Sequence, residues 1–208
     1  MNGAYRDSVD RPAEPAPLAS RPFYIDRRGF VISEGAGCII LATRDFAAVH
    51  GLAAGIELAG WSMTADARHF VAPRLETVAR CMAESIDTAG ISLHDVAAVN
   101  AHATSTKVGD RVEYQALKSL FGGHVPPVSA NKSLTGHAMG ASSAIETVLA
   151  IEGMQRSTLL PTINYTPDPE LALDCVAEGA RGLAQEFVLK NAFGFGGFNA
   201  CAVLRRTA

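Results

Sequence analysis

Apolar residues recur along this chain with two different spacings, and the alternation between them predicts the fold class. In residues 73–89 the apolar side chains fall three or four positions apart, which is the spacing of one helical face. Residues 95–100 instead form a short apolar run, which is typical of a buried strand. Because strand-like runs and helical stretches follow one another, the sequence favours an α/β fold over an all-α or all-β one.

The remaining elements follow from the same two spacings. We expect strands over residues 35–42, 55–61 and 127–130, helices over 109–121 and 136–155, and two closing strands over 187–191 and 200–204. A glycine-rich stretch separates the last two strands, which predicts a hairpin. Residues 1–20 contain three prolines and neither spacing, so we expect a leader or loop there and one domain over residues 21–208.

Composition and charge argue against several classes of protein. With 48% hydrophobic residues among 208, the chain can bury a sizeable core. Its net charge of -3 and its 7% aromatic content do not suit a nucleic-acid surface, which needs a basic stripe and stacking rings. No apolar run approaches the roughly 18 residues of a membrane span, and residues 1–20 lack the apolar core of a signal peptide. We therefore expect a cytoplasmic protein.

The four cysteines are widely spaced and form neither a CxxC motif nor a cluster with histidine. Neither a disulfide framework nor a metal site is therefore expected, since both need cysteines at characteristic spacings. Free cysteines are among the residues most often buried in protein interiors. We expect these four to be reduced and mostly buried.

The first candidate for chemistry is His102, which lies just past the predicted strand 95–100. Three hydroxyl residues, Thr104, Ser105 and Thr106, follow it and can hold the loop and orient the ring. Sites in α/β proteins usually lie where strands end. A histidine in this position can be a catalytic group or a hydrogen-bonded structural residue, and the motif alone leaves both open.

The second candidate is the stretch 131–143, in which His137 stands among small residues at the expected start of the helix 136–155. Amides at a helix start disfavour protonation of an imidazole, which leaves a neutral ring that can donate an N–H to an oxyanion. Lys132 and Glu146 are fourteen positions apart, a spacing that can fold into an ion pair. The stretch could instead be a loop with a surface lysine or a phosphate-binding loop, although no GxxxxGK[ST] pattern is present.

The third candidate is the stretch 191–199, in which glycines alternate with phenylalanines between the two closing strands. One interpretation is a tight hairpin, with glycines at positive φ and phenylalanines in the core. The other is a movable aromatic gate. The residues themselves are compatible with both.

Taken in order, these three motifs resemble the C-terminal signatures of the β-ketoacyl-acyl-carrier-protein synthases, a condensing-enzyme family, especially the synthase II type and the ketosynthases of type II polyketide systems. Further matches lie at residues 21–37, 65–73 and 161–164, so that the resemblance covers about residues 21–205. It implies the thiolase fold, in which two similar α/β halves form an αβαβα layered sandwich. This chain would supply the C-terminal half-domain over residues 21–208.

The resemblance also implies roles for four residues of the first two motifs. His102 and His137 match the two active-site histidines that bind the malonyl thioester carbonyl and assist decarboxylation. Loss of CO2 leaves an enolate, whose oxygen two N–H donors stabilise as an oxyanion hole would. Lys132 matches a buried lysine and Glu146 its partner, a pair that positions the histidines.

Three further residues receive roles from the same resemblance. Phe195 matches a gating phenylalanine, thought to let the acyl chain reach the nucleophile before the malonyl group enters. Thr104 and Thr106 match threonines that contact the phosphopantetheine arm of the acyl carrier protein. The substrate would arrive on that arm, so no cofactor bound by the chain itself is expected. Ala103 replaces the usual glycine and would be strained if its φ were positive.

The nucleophilic cysteine of these enzymes lies in the N-terminal half, and none of the four cysteines here lies in a matching motif. We therefore expect a subunit of a split synthase, inactive alone, that works with an N-terminal ketosynthase half on a separate chain, with two copies of each. The sequence could also be a fragment of a longer synthase. It could instead be a non-catalytic chain-length-factor-like or carrier-binding subunit, a role that the histidines disfavour, or a thiolase-type enzyme using coenzyme A.

Overall fold

The computed structural model describes residues 15–53 and 55–207, and a five-stranded mixed sheet lies at its centre. The strands are β1 (Ile56–Ala65), β2 (Val96–Asn100), β3 (Val128–Ser129), β4 (Thr158–Leu159), β5 (Arg181–Gly182), β6 (Phe187–Gly194) and β7 (Phe198–Arg206). The central sheet has the order β1-β7-β6-β2-β3, and β4 pairs with β5 in a separate ribbon. β2 runs parallel to its neighbours β3 and β6, whereas β7 is antiparallel to β6 and β1.

Helices lie on both faces of this sheet. They are α1 (Arg44–Val49), α2 (Leu75–Ala89), α3 (Lys107–Phe121), α4 (Lys132–Thr135) and α5 (Ser142–Gln155). The larger apolar core joins α2 and α3 to one face, and includes Val78, Met82 and Leu117. A smaller core lies on the other face, where Ala150 and Met154 of α5 pack against Val188 and Leu204 of the sheet. The architecture is thus α/β, as predicted.

Most of the predicted elements are present, with ends shifted by a few residues. α2 ends at Ala89, and Gly90 caps it in the left-handed conformation with a φ of 68°. The closing strands are longer than predicted and pair in register from Phe187↔Arg205 to Gly194↔Phe198, which confirms the hairpin. Of the expected leader, residues 1–14 lie outside the described residues, and the remainder contains one 3₁₀ turn, Ala16–Leu18.

The strand predicted over residues 35–42 is wrong, because this segment is exposed and pairs with no strand of the described chain. Its first part crosses α5 closely: a Cβ on Gly37 would lie 2.8 Å from the Cβ of Ala144. Its second part is more exposed to solvent, and Ile40 is 90% exposed. An apolar run indicates burial, but it does not say which partner provides that burial.

The helix predicted over residues 136–155 is also wrong in its first turns. α4 ends before Gly136, a 3₁₀ turn follows at Met139–Ala141, and α5 begins only at Ser142. Gly136 has a φ of 66°, and a Cβ there would lie 2.9 Å from the Cβ of Ser33. Only glycine fits this close approach without strain, and the positive φ interrupts the helix.

One part of the sheet is exposed within the described chain and presents large apolar side chains. Trp61 and Met63 of β1 lie beside Ala202 and Ala200 of β7, and Phe198 pairs with Ala65 on the same face. Trp61, Met63 and Phe198 are all more than half exposed. Exposed apolar patches of this kind mark interaction surfaces. Within the described residues, no helix has both the length and the apolarity of a membrane span.

Candidate active site

His102 lies in the loop after β2, and buried charged groups hold its main chain from both sides. Glu113 of α3 accepts the N–H groups of His102 and Ala103 at 2.9 and 2.8 Å. Lys132 of α4 donates to the carbonyl oxygen of His102 at 2.6 Å. Its Nζ also lies 3.5 Å from the ring nitrogen Nδ1. Because an ammonium group cannot accept a hydrogen bond, this contact favours the tautomer that carries its proton on Nε2.

Lys132 and Glu146 form the ion pair that their spacing permits. Their side chains are almost fully buried, and Nζ lies 2.5 Å from Oε1 of Glu146. The other carboxylate oxygen accepts from Lys190 of β6 at 2.8 Å. Burial lowers the pKa of Lys132 while Glu146 opposes that shift. The two lysines hold the pKa of Glu146 below its usual value against the effect of burial.

His137 lies beside His102 but is held in a different way. Its main chain bridges the segment before α1: its N–H donates to Val31 at 2.7 Å, and its carbonyl oxygen accepts from Ser33 at 3.1 Å. Its Nδ1 lies 2.9 Å from the hydroxyl oxygen of Ser142. The two imidazole centroids are 5.9 Å apart, and their planes are nearly perpendicular.

Both imidazoles are neutral near pH 7. Burial, followed by the positive charge of Lys132, lowers the pKa of His102 well below 6.5 and that of His137 to about 4. The expected cause, amides at a helix start, is not what the structure shows, because His137 lies outside any helix and five residues before α5. Two adjacent neutral imidazoles can direct N–H donors at a developing negative charge.

Thr104 and Thr106 lie together at the start of α3. Their hydroxyl oxygens are 3.1 Å apart, and Thr106 caps the helix by accepting the N–H of Gly109. The strain considered for Ala103 is absent, because the residue with positive φ in this loop is Ser105 at 69°. The two threonines remain half-buried, and their predicted contact with a phosphopantetheine arm stays a prediction.

Phe195 lies at the tip of the hairpin between β6 and β7, with 44% of its surface exposed. Its ring centroid is 6.4 Å from that of Phe30 and 5.7 Å from that of Phe70. Phe30 in turn makes an edge contact with His137. The turn itself is tied down, since Gly196 donates to the carbonyl oxygen of Phe70 at 2.7 Å. Phe195 is thus separated from His137 by one ring, and its role as a gate stays a prediction.

Three buried ionisable residues of the site are not evident from the sequence. Asp110 and Glu113 have the positions of acidic residues that favour a helix start, but they reach back to the loop of His102; Asp110 accepts from Thr104 at 3.0 Å. Burial raises the pKa of Asp110 to about 7. The third is Lys190. A lysine directly after the apolar run 187–189, within the predicted strand 187–191, is the available signal, because a lysine is almost never buried unless it is paired.

Among residues 15–53 and 55–207, no group of three or more histidine, cysteine or acidic side chains could hold a metal ion. The described groups of the site are two histidines, two lysines and their carboxylate partners, and they suit stabilisation of an oxyanion.

Two curated proteins are similar in sequence to nearly the whole of this chain. Nodulation protein E from Rhizobium sp. (strain N33) is 39% identical over 92% of this chain and 48% of its own length. 3-oxoacyl-[acyl-carrier-protein] synthase 2 from Staphylococcus aureus (strain COL) is 40% identical over 90% of this chain and 47% of its own. The chain thus spans about half the length of the curated relatives it matches.

A solved structure shows the same half. The AntDE:AntF complex, a type II polyketide synthase acyl-carrier protein with its ketosynthase, superposes with a TM-score of 0.90 and 34% identity. The match covers 95% of this chain and 50% of that one, so the fold is the C-terminal half of a thiolase-fold ketosynthase. The family model "Beta-ketoacyl synthase, C-terminal domain" matches residues 56–166. The chain therefore belongs to the family of β-ketoacyl synthase C-terminal domains.

Proposed function

We propose that this chain is the C-terminal half of a β-ketoacyl-acyl-carrier-protein synthase, which condenses an acyl chain with a malonyl group in fatty-acid or polyketide biosynthesis. The observation that carries the proposal is the pair of neutral imidazoles of His102 and His137, 5.9 Å apart. When the malonyl thioester loses CO2, the electron pair of the broken bond forms an enolate, and its oxygen gains negative charge. Each N–H donor aimed at that oxygen is worth about 2.7–4 kcal/mol.

The substrate class follows from the surroundings of the two histidines. Thr104 and Thr106 present hydroxyl groups beside His102, where they would contact a phosphopantetheine arm. The names of two matched proteins support a carrier-bound substrate, since one is an acyl-carrier-protein synthase and the other was solved with an acyl-carrier protein. The His102 and His137 pair also argues against a chain-length-factor-like role, because a subunit without chemistry needs no enolate-stabilising donors.

The nucleophilic cysteine must come from elsewhere. Cys81, Cys175 and Cys201 are buried in the core, out of reach of an acyl chain. Hydrogen bonds to Cys201 and neighbours lower the pKa of Cys81 to about 7, but a thiol without access to substrate cannot form an acyl-enzyme. Cys38 is exposed but lies in the segment 35–42 rather than at a helix start. We therefore infer that an N-terminal ketosynthase half brings the cysteine.

The uncovered sheet face offers a place for that half. Trp61, Met63 and Phe198 form an exposed apolar patch on β1 and β7, and Ile40 and Leu41 project beside the body. A half-domain of similar size would cover both, in an obligate interface of more than about 2,000 Å². We expect two copies of each half in the assembly.

The experiment is to purify this chain with an N-terminal ketosynthase half that carries the cysteine, and to measure malonyl-carrier decarboxylation and acyl transfer separately. Replacing His102 or His137 by Ala should reduce decarboxylation about 100-fold or more while leaving acyl transfer to the cysteine intact, because only the enolate needs the donors. The isolated chain should self-associate and be inactive. Unchanged decarboxylation in both variants, or a stable monomer that condenses substrates alone, would overturn the proposal.

A further inference from the structure

Lys190 is a buried charged residue to which the proposed chemistry assigns no part. Its Nζ donates to Oε2 of Glu146 at 2.8 Å and to the carbonyl oxygen of Asn191 at 2.5 Å. Lys132 already occupies the other oxygen of the same carboxylate. One buried carboxylate therefore holds two buried ammonium groups. Burying an ammonium group is costly, so a second one calls for an explanation beyond pairing the carboxylate.

The contacts of Lys190 close a ring of hydrogen bonds around His102. One side of this ring runs from the His102 carbonyl oxygen through Lys132 and Glu146 to Lys190. The other side runs from the His102 N–H through Glu113 to the side chain of the residue that follows Lys190 in β6. Both sides thus end on two consecutive residues of one central strand, which is a rigid support for the loop.

We propose that Lys190 is a positioning residue for the decarboxylation step: it holds Glu146 in place and so fixes Lys132 and, through Lys132, the main chain of His102. This inference rests on the function proposed above. Lys190 is not a catalytic residue, because its ammonium group is engaged by Glu146 and by the carbonyl oxygen of Asn191. Outer hydrogen-bond partners of this kind fix the orientation of the groups that react.

The charge of Lys190 acts in the same direction. The charged and titratable groups around His102 are Glu113 of α3, Lys132 of α4, His137 in the loop after α4, Glu146 of α5 and Lys190 of β6. Burial is the largest cause of the low pKa of His102, followed by the positive charges of Lys132 and Lys190. Lys190 therefore also favours the neutral imidazole that the reaction uses.

The first test replaces Lys190 by Met in the complete synthase, with Lys118→Met as a control that removes a lysine from the half-buried surface of α3. The Lys190→Met variant should lose decarboxylation turnover about ten-fold, with little change in the KM for the malonyl-carrier substrate, since Lys190 does not touch substrate. The pKa of His102 should rise in this variant, because one positive charge near its ring is gone. Lys118→Met should behave as the wild type.

The second test is a double-mutant cycle with Glu146→Gln. If Lys190 acts through the carboxylate, adding Lys190→Met to Glu146→Gln should change decarboxylation much less than Lys190→Met alone. The double variant also removes the carboxylate that Lys190→Met would leave short of a partner, and if Lys190→Met does not fold, equal decarboxylation by Glu146→Gln and the double variant would still be expected. Equal effects in both backgrounds would mean that Lys190 does not act through Glu146.

A third readout separates this inference from the proposed function. The titration of His102 in the assembled protein, followed by NMR of labelled histidine, does not depend on activity. If the wild type does not decarboxylate malonyl-carrier protein, the proposed function fails, and a higher His102 pKa in Lys190→Met would still support the structural link. An unchanged His102 pKa together with unchanged turnover in a folded Lys190→Met variant would overturn the inference.

Discussion

The two histidines of the site are neighbours, yet they are held by different kinds of structure. His102 is fixed from the interior, by Glu113 on its N–H and by Lys132 on its carbonyl oxygen. His137 is fixed from the outside, by two main-chain hydrogen bonds to the segment 31–33. The position of His102 therefore depends on buried charged groups. The position of His137 depends on the segment 31–33, which leads into the exposed residues 35–42.

Breaking the interior support should have the largest effect. Lys132→Ala leaves Glu146 with one ammonium partner and frees the carbonyl oxygen of His102. Loss of one partner of a buried ion pair should lower the free energy of unfolding by about 3–5 kcal/mol, measured by denaturant titration. Lys118→Ala, on the surface of α3, should change it by less than about 0.5 kcal/mol. An equal stability of both variants would show that the pair does not support the site.

Titration sharpens the comparison. His137 has a pKa of about 4 in the folded protein and near 6.5 when unfolded, so the unfolded chain binds the additional proton as the pH falls between these values. Stability should therefore decrease as the pH falls from about 6.5 to 4, and decarboxylation should persist to about pH 4, where His137 gains its proton. The pH profile of turnover measures this directly. Half-maximal loss near pH 6.5 would contradict the neutral pair.

Replacing His137 by Gln provides the matched control for that titration. Glutamine keeps an N–H donor but does not titrate in this range. If His137 is the first of the two histidines to be protonated, the residual activity of His137→Gln should extend to lower pH than that of the wild type, because the glutamine side chain gains no proton there.

The smallest effect on stability is expected at Phe195, at the exposed tip of the hairpin between β6 and β7. Phe195→Ala removes a ring that is 44% exposed, so the free energy of unfolding should fall by about 1 kcal/mol or less. If the ring is a gate, the variant should bind malonyl substrate before the cysteine is acylated, which a change in the kinetic order of substrates would reveal. Normal kinetic order would leave Phe195 as a packing residue.

The sequence pattern predicts secondary structure correctly where that structure depends on residues close by in the sequence. The apolar spacing of residues 73–89 predicts α2 well, and the structure ends that helix with a left-handed cap at Gly90. The run 35–42 has the pattern of a strand but no strand of the described chain beside it, and no pattern reveals that. The first turns of the helix expected over 136–155 fail because Gly136 approaches Ser33, a contact between residues about one hundred positions apart.

The site shows the same division. Motifs around His102 and His137 identify both histidines, and the spacing of Lys132 and Glu146 permits their pairing. Lys190 could not be placed, because its partner Glu146 lies 44 positions away in the sequence. From its position near the start of α3, Glu113 would be expected to interact with the helix dipole. Its carboxylate instead accepts hydrogen bonds from the loop that precedes the helix. A charge inside an apolar strand is the one general signal for such groups.

The tight turn at the tip of the last hairpin determines how fast a gate formed by Phe195 could move. Gly196 is tied to Phe70, and Gly197 donates to Gly194, so the main chain around Phe195 is anchored while its ring remains partly exposed. The part that is free to move is then the side chain. Rotamer changes of exposed side chains take picoseconds to nanoseconds, whereas typical enzymes turn over about ten times per second. A gate built this way would open and close many times during each catalytic cycle, and would therefore select among substrates without limiting the rate.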